Sequence, residues 1–126
     1  MRVLRRVGLS SLQRAQEGLA VLLILVGLGH AGATLFAYEE LDGPAMWFMS
    51  AGLMMVFLGF LNLSAAAAQG RVRRLSLLTV TADLAAALFV IPLYLAMRAP
   101  PALGLMVLVI AAFFIELRTV RGRGSS

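Results

Sequence analysis

Residues Gly29 to Phe48 read GHAGATLFAYEELDGPAMWF. The stretch holds the only histidine, three of the six acidic residues and the only tryptophan, and it joins two long apolar runs. An apolar run, a short polar break ending in Gly43-Pro44, and a second apolar run form the pattern of a helical hairpin. Glycine and proline punctuate the chain, and proline suits the first turn of the helix that follows. The runs on either side are long enough to cross a bilayer, so the stretch reads as the outward-facing end of a transmembrane hairpin.

The rest of the chain agrees. Of its 126 residues 61% are hydrophobic and 13% charged, and the mean hydropathy is +0.93. A water-soluble domain of this size leaves too much surface exposed to hide that much apolar side chain, so the chain belongs in a lipid bilayer as a single domain. Working outward from the hairpin, apolar segments fall at about 18–37, 45–68, 75–97 and 101–117, each within the length that spans the hydrocarbon core. Pro100 and Pro101 suit the start of the fourth, where missing backbone N–H groups do no harm. The connections are short, which makes successive helices antiparallel neighbours. The fold expected is an all-α integral membrane protein, a four-transmembrane-helix up-down bundle.

All eleven basic residues are arginine, and ten lie at one end of the expected bundle: Arg2, Arg5, Arg6 and Arg14, then Arg71, Arg73 and Arg74, then Arg118, Arg121 and Arg123. Arg98 stands alone at the other. Arginine flanking apolar segments marks the cytoplasmic side, which predicts an N-in/C-in, multi-pass protein of a bacterial-type plasma (inner) membrane. Tyr38, Trp47 and Tyr94 then fall toward the outer interface, where amphipathic rings are enriched. The net charge of +5 is not arranged as a stripe interleaved with aromatics, so no nucleic-acid partner is expected. Residues 1–17 read as a cytoplasmic cationic segment, either a tail that fixes topology or a short helix on the membrane surface with Leu4, Val7, Leu12 and Ala15 on one face. Ala31-Gly32-Ala33 has the small-residue form of a signal cleavage site. The apolar run continues past it, so the segment is expected to stay in place as a span. Residues 118–126 form a basic tail. With no cysteine, the chain has no disulfides, thiolate metal sites or thiol catalysis.

Polar residues inside the spans are the candidate site. Asp83 is the costliest: it lies about 12 Å into the third segment, where insertion of an acid costs on the order of 2.5–3.5 kcal/mol unless it faces protein. Thr79, Asp83, Ala87 and Tyr94 fall near one helical face. Asn62, about 9 Å above the same end of the second segment, matches Asp83 in depth, and a hydrogen bond between them is expected. Gly52, Gly59, Asn62 and Ala66 share a small, polar face suited to close helix packing. Gly27, His30 and Thr34 form an inward stripe on the first segment. His30 is expected either to donate to a neighbouring helix or, through a water or a tilt, to form a proton relay with Asp83. Glu39, Glu40 and Asp42 read as a solvated outer loop. Glu116 and Arg118 are expected to snorkel at the inner end of the fourth segment.

No Gly-x-Ser-x-Gly, His-Glu-x-x-His or phosphate-cradling glycine loop occurs, so no enzyme, cofactor or metal is expected. The first functional reading is a non-enzymatic packing or accessory subunit, in a homo-oligomer or beside another membrane protein. The second is a small dimeric proton-linked transporter using Asp83 with His30 and Asn62. The third is a haem- or metal-binding subunit acting through His30, completed either by the second histidine of a homodimer or by methionine, in which the second segment is rich (Met46, Met49, Met54, Met55).

Overall fold

The computed structural model describes residues 2–68 and 71–123, without the side chains of residues 2–10 and 123. Four helices follow one another: α1 (Arg2–Ala37), α2 (Gly43–Ala68), α3 (Arg73–Met97) and α4 (Pro100–Arg123). Each carries a stretch long and apolar enough to cross a membrane: Ser11–Ala37, Gly43–Ala68, Arg73–Met97 and Pro100–Gly122. Consecutive helices pack on one another and α4 returns to α1, the neighbour order of an up-down bundle.

Two boundaries differ from the sequence reading, and both matter to the site. The cationic segment is neither a separate tail nor a separate surface helix: α1 runs unbroken from Arg2 through the first apolar segment. No proline interrupts it, and Gln13 Nε2 donates to Glu17 Oε1 at 2.9 Å, a one-turn pair that ties the polar segment to the apolar one. The proposed apolar face with Leu4 and Val7 lies outside the described side chains. At the other end α4 continues past Leu117 to Arg123, and residues 124–126 lie outside the described residues. The apolar stretches therefore reach about a turn or more beyond 18 and 117, toward the chain termini.

The turns carry local chemistry of their own. Asp42 is the N-cap of α2: its Oδ1 accepts the Ala45 N–H at 3.0 Å, and its carbonyl accepts the Met46 N–H at 2.9 Å. This satisfies backbone donors that a helix start leaves open. Asp42 is thus a capping residue of the exposed loop rather than a free acid. At the α3–α4 turn the residue before a proline avoids helical geometry, so Ala99-Pro100 forces α3 to stop. Arg98 takes up the left-handed conformation there (φ 48°) and its N–H donates to the Tyr94 carbonyl at 2.7 Å.

The α1–α2 contact is backbone on backbone. A Cβ on Gly52 would lie 2.5 Å from the Ala31 nitrogen and 2.7 Å from the Gly27 carbonyl oxygen. One on Gly27 would lie 2.6 Å from the Gly52 carbonyl oxygen, and one on Gly59 would lie 2.8 Å from that of Ala20. No side chain fits at these three positions, which is how small residues let apolar helices approach in the absence of a hydrophobic drive between them. Gly18, Gly29 and Gly104 have open space where a Cβ would be. The first hairpin is therefore a glycine-locked pair. The second, α3–α4, packs through side chains, and Leu23, Ala87, Val90 and Val109 form a buried apolar cluster between the hairpins, with Leu58 of α2 against it.

Candidate functional site: a polar layer across two helix seams

Below the apolar cluster, toward the chain termini, each helix turns one long polar side chain inward: Gln16 of α1, Asn62 of α2, Asp83 of α3 and Glu116 of α4. All four are at least 98% buried. The helical stripes put them there. In α1 the buried series Ala20, Leu23, Gly27 continues one turn back to Gln16. In α4 the series Val109, Ala112 continues to Glu116 and Thr119. In α3, Ser76, Thr79, Asp83, Ala87 and Val90 form one buried face.

The four pair across the two seams that join the hairpins. In the α2–α3 seam Asn62 Nδ2 donates to Asp83 Oδ1 at 2.7 Å. The same nitrogen donates to the Leu58 carbonyl at 3.2 Å, so both its hydrogens are used and the amide is fixed in orientation. In the α1–α4 seam Gln16 Nε2 donates to Glu116 Oε2 in a short, fully buried bond. Each seam thus repeats one arrangement: the first hairpin supplies an amide, the second a carboxyl.

Glu116 is the clear departure from the sequence reading. It does not snorkel to the interface. It sits inside the Pro100–Gly122 stretch on the face that points at the bundle axis, and from that face its short stem meets Gln16 before it meets solvent. Gln16, placed by sequence in the cytoplasmic segment, is part of the bundle interior. Both were findable: extending the α1 and α4 stripes by one turn lands on them.

Of the other sequence candidates, Thr79 is fully buried but spends its hydroxyl on the Leu75 carbonyl of its own helix, at 2.9 Å. Tyr94 lies one turn beyond Val90 and is half-buried. Thr34 is fully buried, and its Oγ1 has no partner among the described residues. His30 does not reach Asp83. Its ring stacks on Phe48 of α2 with centroids 3.9 Å apart, and Tyr38 tilts onto the same phenylalanine at 5.8 Å. The Gly27–Gly52 contact holds α1 and α2 so close that His30 meets the next aromatic on α2, near the hairpin turn. The His30–Asp83 relay is not formed, and His30 belongs to an aromatic cluster at the opposite end of the bundle from the polar layer.

Chemically the layer offers two carboxyls and two amides in a buried interior. Three of its oxygens, Asn62 Oδ1, Asp83 Oδ2 and Glu116 Oε1, are buried without a hydrogen-bond partner among the described residues. Comparison with protein-family models, with curated proteins and with solved structures finds no match for this chain.

Proposed function

We propose that the chain is a non-enzymatic, multi-pass protein of a bacterial-type inner membrane, both termini cytoplasmic, that works as a packing or accessory subunit through its helix faces. The observation that carries this reading is the packing of the helices on one another. Gly27, Gly52 and Gly59 close the α1–α2 seam by backbone contact, Leu23, Ala87, Val90 and Val109 form a buried apolar cluster, and the polar layer is buried below it. A centre packed in this way favours a structural role over a solute route through one protomer. The outward faces carry large apolar side chains on every helix, among them Leu25, Phe57, Leu88 and Val107, as suits lipid or a membrane partner. The clustering of ten arginines toward the terminal end supports the orientation.

The mass of the protein in lipid nanodiscs tests this. A homo-oligomer, or a larger membrane protein retained with it through purification, is the expected result. A monomer that drives pH-gradient-dependent solute flux in vesicles, abolished by Asp83→Asn, would instead support the small proton-linked carrier. The buried carboxyls specifically favour that second reading.

A further inference from the structure

The unpartnered oxygens of the polar layer have a common cause. Asn62 Nδ2 has committed both hydrogens, so the bonded Asn62–Asp83 pair keeps two oxygens with no partner among the described residues, Asn62 Oδ1 and Asp83 Oδ2. With Asp83 ionised both are acceptors, and no rotation satisfies either. One proton on Asp83 Oδ2 converts it to a donor and completes a reciprocal acid–amide pair, amide N–H to carboxyl oxygen and carboxyl O–H to amide oxygen. A single proton then removes two of the three buried orphans. Glu116 repeats the pattern with Oε2 held by Gln16 and Oε1 open.

We propose that Asp83, seated on Asn62 in the α2–α3 seam, is a reversible proton-binding site that latches the second hairpin to the first. With its proton the α2–α3 seam is held by two hydrogen bonds. Without it, the seam is left with one bond and a buried negative charge. The groups around it fit that role. The described part of α2 brings Asn62 and no titratable residue, and α4 brings Glu116, with Arg118 and Arg121 exposed farther along. On α1 Gln16 faces Glu116, Arg14 is exposed, and Glu17 accepts from Gln13. Among the described side chains the hydrogen-bond partner of Asp83 is the neutral amide of Asn62. Asn62 lies about 9 Å from the end of α2, two helical turns from the terminal end of the bundle, which gives the shorter path for that proton. The inference is independent of the subunit reading, since a packing subunit and a carrier would both contain the latch.

Asp42 and Asp83 are the only aspartates in the chain, which makes the test clean. The full chain is prepared with carboxyl-¹³C aspartate, reconstituted in vesicles and followed by infrared spectroscopy across pH. At neutral pH one labelled group should absorb as a carboxylic acid and shift in heavy water, while the other absorbs as a carboxylate. The acid band should disappear reversibly as the pH is raised. It should be absent from Asp83→Asn and retained in Asp42→Asn. Two carboxylates at neutral pH overturn the proposal, because Asp83 then carries no proton. An acid band that persists to the alkaline limit also overturns it, by making Asp83 a fixed structural donor. Both results are read on the unsubstituted chain, so a variant that fails to fold does not obscure them, and neither bears on the oligomeric mass.

Discussion

Replacing Gly52 with leucine should separate α1 from α2 and cost about 3 kcal/mol, the upper range for forcing side-chain volume into a packed interior. The reason is geometric. Even the first carbon of the new side chain would lie 2.5 Å from the Ala31 nitrogen and 2.7 Å from the Gly27 carbonyl oxygen, and neither is the far end of a side chain that could move aside. The hairpin can accept leucine only by parting, which also unstacks His30 from Phe48. Gly29→Ala is the matched control on the facing helix. A Cβ there meets nothing within 4 Å, and replacing a helix-interior glycine with alanine gains about 0.5–1 kcal/mol. Unfolding in mixed detergent micelles with increasing denaturing detergent measures both. Opposite shifts are expected, and a Gly52→Leu protein as stable as the parent would show that the two helices do not touch through their backbones.

The second large effect is expected at Asn62. Asn62→Leu leaves a fully buried carboxyl in the α2–α3 seam with no partner on either oxygen, and removing one member of a buried polar pair costs about 3 kcal/mol, more if the acid remains charged. The double replacement Asn62→Leu/Asp83→Leu should recover much of that loss, because apolar side chains of similar shape leave no orphan behind. Asp83→Asn should stay within about 1 kcal/mol of the parent, since an amide supplies both the acceptor for Asn62 Nδ2 and a donor for Asn62 Oδ1. The same unfolding assay checks the series. Equal stability of Asn62→Leu and the double variant would mean that Asp83 is not left unpartnered when Asn62 is lost.

Much of this architecture was legible in the sequence because bilayer dimensions constrain helices strongly. Apolar length and short polar breaks located four helices, and Gly43-Pro44 and Pro100-Pro101 marked helix starts to within a few residues. The Asn62–Asp83 bond could be expected because both residues have a depth that follows from helical rise alone. Gln16 and Glu116 were hidden for a definite reason. Span limits drawn where the charged residues begin leave Gln16 outside the bundle and place Glu116 at its rim, whereas the buried stripes ignore those limits and run one turn further. His30 was placed on the correct face, but a stripe on one helix does not say which neighbour it meets. That depends on the close approach at Gly27 and Gly52, which pairs His30 with Phe48 near the hairpin turn.

The central claim is that two hairpins are joined by an acid–amide pair in each seam, and the most direct test is the pair farthest apart in sequence, Gln16 and Glu116. A double-mutant cycle with Gln16→Leu, Glu116→Leu and the combined variant, read by unfolding in mixed micelles, isolates their interaction. The predicted result is a favourable coupling of about 1 kcal/mol or more across the 100 residues that separate them. Additive losses, with no coupling, would contradict it.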